Sequence, residues 1–237
     1  MKIDPKYPPG HKYPSGHKWL APTRFLDYET AAVQDFIHAA TAGVPKTPRE
    51  LAVRLYYAVR DGIRYDPYRF RMEPEVFMAS TTVREKAAYC VPKGLLYAAC
   101  LRAVGIPARP GFADVRNHLT TKRLLEVTGS DVFSWHGYVA VLLDGRWVKA
   151  TPAFNIEMCQ RFQVLPLEFD GTADSLMHPY NALQQRHMEY IKQHGEFDDL
   201  PYELLVEEMR KSYPQLIAAS ESKLSGDFDH EAIYTEP

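Results

Sequence analysis

Cysteine is scarce in this chain: Cys90, Cys100 and Cys159 are the only three in 237 residues. An odd count without paired spacing excludes a disulfide-stapled scaffold and points to a reduced, cytoplasmic setting. Long apolar runs are missing as well. No stretch nears the roughly 18 apolar residues of a membrane helix. The opening MKIDPKYPPGHKYPSGHKW lacks the apolar core of a signal peptide, so no membrane association is expected. Neither sign of charge is in excess: 28 basic and 30 acidic residues leave a net charge of −2 without long blocks. That leaves no electrostatic footprint for nucleic acid. The sequence also lacks H-E-x-x-H, G-x-S-x-G and phosphate-loop patterns, which argues against zinc proteases, serine hydrolases and nucleotide enzymes. The two His-Lys pairs near the start have no acidic or cysteine partner nearby, and no metal or cofactor is expected.

What remains is an ordinary globular composition, 46% apolar and 24% charged, in a chain long enough to bury a sizeable core. Three segments are expected. Residues 1–24, with five prolines, read as an extended arm. Residues 25–165 carry the core, and residues 166–237 read as a mostly helical extension packed on it, with helices near 181–194 and 200–219.

Within the core, residues 27–43 have helical spacing and end at Gly43. Thr47, Pro48 and Glu50 form a capping box ahead of an amphipathic helix ending near Gly62. LYAACLRAVG reads as a buried helix closed by Gly105. PARPGFADVR reads as a strand with a glycine kink or bulge, and residues 117–131 as a loop with a short helix. The strongest β signal is FSWHGYVAVLLDGRWVKATPAF, in which Asp144-Gly145 is the dipeptide favoured in two-residue type I′ turns. The fold class is therefore α+β.

Two residues stand out chemically. Cys90 precedes Val91-Pro92-Lys93 at a helix start, where unpartnered N–H groups favour thiolate over thiol. Lys93 could strengthen that field. Cys100, deep in the helix, reads as structural. His136, on the strand entering the Asp-Gly turn, is the best-placed partner for a cysteine nucleophile. With a two-residue turn, Leu143 faces Arg146, Val141 faces Val148 and His136 faces Ala153. Thr151 is then diagonal to His136, and Asn155 has the same parity. A one-residue bulge would flip this pairing.

The order of YCVPKGLLYAACLRAVGIPAR, His136 and LLDGRWVKATPAFN, together with VRDGIRYDP, resembles the transglutaminase-like superfamily of papain-type cysteine enzymes over roughly residues 47–155. The resemblance implies a papain-like fold with Cys90 as nucleophile and His136 as general base. It also implies an acidic third member, but the family's W-V-x-x-D-P-T phrase has Thr151 where aspartate is usual. Thr151 and Asn155 share the orienting role about evenly, with Asp131 or Asp114 as remote alternatives. Tyr89, Trp135 and Tyr138 are aromatic candidates for the cleft wall. The expected activity is cofactor-free acyl transfer or hydrolysis on peptide-like amides or thioesters. The alternative is a non-catalytic binding module that kept the fold.

Overall fold

The computed structural model describes residues 18–43, 47–118, 120–176 and 188–221, with residues 228 and 231. Residues 1–17, which carry most of the expected arm and the histidines of its His-Lys pairs, and 181–187 of the expected helix lie outside them. The elements are α1 (Ala31–Thr41), α2 (Pro48–Gly62), β1 (Arg64–Tyr65), α3 (Ala79–Glu85), β2 (Ala87–Ala88), α4 (Cys90–Ala103), β3 (Ala108–Asn117), α5 (Lys122–Thr128), β4 (Val132–Leu143), β5 (Arg146–Ala150), α6 (Ile156–Arg161), β6 (Met188–Glu196), α7 (Tyr202–Ser212) and α8 (Pro214–Glu221). The main sheet is antiparallel in the order β5-β4-β3-β6, and β1 and β2 form a short parallel pair. The protein is α+β, as its patterns predict.

Local chemistry sets the boundaries. The Thr47 hydroxyl accepts the Glu50 N–H at 3.4 Å, one half of the capping box read from sequence, and donates to the Glu50 carboxylate. Residues Val91 to Arg102 of α4 are all buried. A helix apolar on every side must lie in the interior, and α4 is flanked by α2 and α3 and packs on β4 and β3. It ends at Gly105, whose φ of +81° suits glycine. Two glycines let α4 approach the sheet. A Cβ on Gly137 would lie 3.0 Å from Val91 Cα, and one on Gly94 would lie 3.9 Å from Val139 Cγ2.

The Asp144-Gly145 turn has φ +50° and +74° and sets the register Leu143↔Arg146, Val141↔Val148 and Val139↔Ala150. The predicted facing of His136 and Ala153 does not occur. Pairing stops at Ala150, because the chain turns aside at Pro152, which has no N–H to continue a ladder. The Thr151 N–H instead donates to the Ser175 carbonyl at 3.0 Å. His136 lies opposite Ala113 of β3.

The reading of residues after 165 as mostly helical is corrected for one stretch. Residues 188–196 form β6, which takes the open edge of β3. MEYIKQHGE carries β-formers but no alternation, since the strand lies at a partly exposed edge. The helical expectation holds over α7 and α8.

Candidate active site

Cys90 is the first residue of α4, and Tyr89 before it supplies no side-chain cap. The first-turn N–H groups are therefore unspent. The N–H groups of Gly137, Val91 and Cys90 itself act on the sulfur and hold the thiol down, but burial outweighs them and pushes it up to about 11. The expected lowering is thus reversed. A helix end contributes a field worth at most ~2 kcal/mol, while desolvating a thiolate costs several pKa units. Cys90 keeps a partly exposed surface.

Lys93 does not add to the field either. Its Nζ is buried and donates to the carbonyls of Arg60 (2.8 Å) and Ile63, capping the end of α2. Burial lowers it to about 7. Cys100 and Cys159 are buried.

His136 reaches the same cavity through a defect in the sheet. Between the pairs Ala113↔His136 and Val115↔Phe133, β3 contributes only Asp114, whereas β4 contributes Ser134 and Trp135. The extra residue is Trp135, at φ +60°, a conformation that costs a bulky residue ~1–2 kcal/mol. Asp114 Oδ1 secures it, accepting the Trp135 N–H at 3.0 Å and lying 2.7 Å from His194 Nε2. The Trp135 ring stacks on His194 at 4.4 Å, on the other face of the sheet. The bulge brings Phe133 and His136, three apart, to one face, and both line the cavity with Cys90.

His136 is buried, and desolvation lowers it to about 4 with no carboxylate opposing the shift. Its Nε2 has no hydrogen-bond partner among the described residues. Thr151, at the position where the acid was expected, has a buried hydroxyl that is likewise unpartnered, while its carbonyl accepts the Tyr56 hydroxyl at 3.2 Å. Asn155 caps α6. Its Oδ1 accepts the Tyr65 N–H at 2.9 Å and its Nδ2 donates to Glu157 at 2.7 Å. Neither lines the cavity. Asp131 pairs with Arg116 at 3.1 Å, and Asp114 steadies the bulge that presents His136. The structure joins Cys90 and His136 in one cavity and shows no hydrogen bond from Thr151 or Asn155 to the imidazole.

The cavity walls are aromatic and aliphatic, with Tyr65, Phe133, Phe154 and Phe162 among them. None of the aromatic residues expected from sequence takes part. Tyr89 packs against Phe70 and Phe77, Trp135 is on the opposite face, and Tyr138 covers Gly111, where a Cβ would lie 2.3 Å from its ring. Trp147 and Arg109 serve packing, the guanidinium lying 3.8 Å from the Trp147 ring. Among the described residues no three His, Cys, Asp or Glu side chains gather to hold a metal, and no helix is long and apolar enough to cross a membrane. Sequence reading missed Gly137, whose missing side chain admits the start of α4, and Phe228, which lines the cavity from far along the chain.

Two solved structures resemble the fold. One is a candidate cysteine protease from Cytophaga hutchinsonii (14% identity, TM-score 0.43, covering 75% of this chain and 53% of that one). The other is an arylamine N-acetyltransferase from Salmonella typhimurium (14% identity, TM-score 0.42, covering 78% and 71%). The chain thus spans about half the length of the first. A search of curated proteins returned no match. The sequence model of the transglutaminase-like superfamily matches residues 34–152, which runs from within α1 through β5 with both Cys90 and His136, and the chain belongs to that superfamily.

Proposed function

We propose that this protein is a cysteine enzyme of acyl transfer, with Cys90 as nucleophile, His136 as general base, and a peptide-like amide or a thioester as substrate. One observation carries this reading: a helix-start cysteine and a strand histidine open on a single cavity. Both groups are neutral near pH 7, since the thiol is held up to about 11 and the imidazole down to about 4. Attack is therefore concerted with proton transfer. The sulfur bonds the acyl carbon as His136 takes the thiol proton, and the imidazolium then returns it to the departing amine or thiol. The Cys90 N–H, free of a cap, supplies one donor to the oxyanion. Water or an amine, activated by the neutral imidazole, then releases the acyl group. The orienting role falls to Thr151, because its hydroxyl is unpartnered while the Asn155 amide is engaged at both ends. A hydroxyl brings no negative charge, in keeping with an imidazole that burial alone has depressed.

The test is a covalent one. Full-length protein is incubated with an activated thioester and, separately, with peptide amides, and adducts are located by peptide mapping. The expected result is an acyl group on Cys90, absent in Cys90→Ala, whose release by water or by added amine assigns hydrolysis or transfer. Product formation that survives Cys90→Ala would overturn the proposal. The raised thiol favours a second reading, a binding module that kept the fold, and that reading predicts saturable peptide binding with no adduct.

A further inference from the structure

With every described residue in place, the cavity beside Cys90 and His136 has a free volume of about 30 Å³, room for about two waters. Phe228, only 5% exposed, lines the cavity together with Cys90 and His136. Its ring centre lies 5.0 Å from that of Phe162, 5.8 Å from Tyr65 and 6.3 Å from Tyr68. Phe228 therefore stands in the aromatic wall beside Cys90.

A second anchor lies three positions on. The Glu231 N–H donates to the Phe228 carbonyl at 3.3 Å. The Glu231 carboxylate accepts the Tyr68 hydroxyl at 2.7 and 2.8 Å and the Thr121 hydroxyl at 2.6 Å. Arg123 completes the surround, its Nε 3.7 Å from Glu231 Oε1 and its guanidinium 5.5 Å from the Tyr68 ring. The carboxylate's side chain is only 15% exposed, and hydrogen bonds to an ionised group are about twice as strong as neutral ones. Two hydroxyls and a guanidinium around one half-buried carboxylate make a built anion site. It adjoins the aromatic pocket, since Thr121 lines the cavity and Tyr68 packs on Phe228.

We infer that this aromatic pocket and the Tyr68–Thr121–Arg123 carboxylate site are paired substrate subsites, that Phe228 and Glu231 occupy them as an internal stand-in, and that the protein takes peptides bearing an aromatic side chain followed three positions later by a carboxylate. The inference rests on the reading of Cys90 as the reactive centre. The stand-in blocks that centre until a matching ligand displaces it. Departure of the Phe228 ring also admits water to the sulfur, which relieves the desolvation now opposing the thiolate.

The test measures alkylation of Cys90 by iodoacetamide in the full chain, with each cysteine followed by peptide mapping. Glu231→Gln is expected to speed Cys90 alkylation by at least about tenfold, the gain from losing one charge-assisted contact of the closed form, and Phe228→Ala, which loses a buried ring, by a similar factor. A synthetic peptide of residues 225–234, SGDFDHEAIY, added to the Phe228→Ala protein should protect Cys90 saturably. The same peptide with its Phe replaced by Ala, or its Glu by Gln, should not. If Phe228→Ala also exposes the core residues Cys100 and Cys159, unfolding is reported, and the size-conserving Glu231→Gln decides. Unchanged Cys90 rates in Glu231→Gln, or equal protection by the altered peptides, would overturn the inference. The outcome is separable from the catalytic proposal. Displacement is read without His136, so a tail effect that persists in His136→Ala supports the subsites even if that histidine proves idle.

Discussion

Replacing Gly137 by alanine probes the contact that brings helix and strand together. Neither Gly137 nor Gly94 has a positive φ, so any cost comes from space and not from backbone conformation. A Cβ at Gly137 meets Val91 Cα at 3.0 Å, the Cys90 carbonyl oxygen at 3.2 Å and its carbon at 3.4 Å, all of them backbone atoms. A side chain could swing away, but the first turn of α4 has to move as a body. Overpacking of this kind costs ~1–3 kcal/mol, offset by the ~0.5–1 kcal/mol that alanine gains over glycine in a strand. The net is a loss of about 1–2 kcal/mol, or a Tm lower by about 3–6 °C for a chain of this size. The same shift draws the Gly137 N–H away from the Cys90 sulfur, so thiol reactivity changes together with stability. Gly94→Ala is the control from the other side of the contact. Its Cβ meets nothing closer than 3.9 Å, and helix propensity predicts a gain of ~0.5–1 kcal/mol. Thermal melts and Cys90 alkylation of both variants are the assay. A Gly137→Ala protein as stable and as reactive as the parent would refute the claim that close backbone approach positions Cys90.

Lys93→Met leaves the buried carbonyls of Arg60 and Ile63 without a donor, and denaturant melts should show a loss of ~1–3 kcal/mol. Because burial lowers the folded-state Lys93 from 10.5 to about 7, the unfolded chain binds more protons between those values. Wild-type stability relative to Lys93→Met should therefore rise with pH from about 7 towards 10.5 and be flat below 7. Asp114→Ala removes the acceptor for the Trp135 N–H, so the bulge relaxes. Melts should show a loss of ~1–3 kcal/mol, and Cys90 chemistry should lose its dependence on His136. Thr151→Asp restores the family's acid. An NMR titration should find His136 raised from about 4 if Thr151 orients it, and unmoved if it does not.

Much of the fold was legible because local chemistry and global packing agree. The capping box at Thr47, the all-apolar run of α4 and the Asp144-Gly145 turn each have one cheap structural solution. That Cys90 and His136 would meet at one cavity was legible through the order of elements. What failed did so for non-local reasons. The bulge at Trp135 depends on a carboxylate from β3 that the sequence does not link to it, and it alone decides which face His136 takes. The end of the β5 ladder depends on where Ser175 docks. The Cys90 thiol is governed by desolvation from distant residues, not by the helix start that the sequence shows. Strand β6 reads as helical because its edge position removes the alternation that would mark it. Phe228 lies 138 positions from Cys90, and nothing in its neighbours points to the cavity.

The central claim is that Cys90 and His136 act as a pair, and the pH dependence of Cys90 alkylation tests it most directly. In the wild type, a neutral imidazole takes the thiol proton during attack, so the rate should be level between about pH 4 and pH 11, the values that burial sets for the two groups. In His136→Ala only thiolate reacts, so the rate should fall about tenfold for each pH unit below about 11. Two superimposed profiles, both falling with pH, would show that His136 does nothing for Cys90 and would contradict the account.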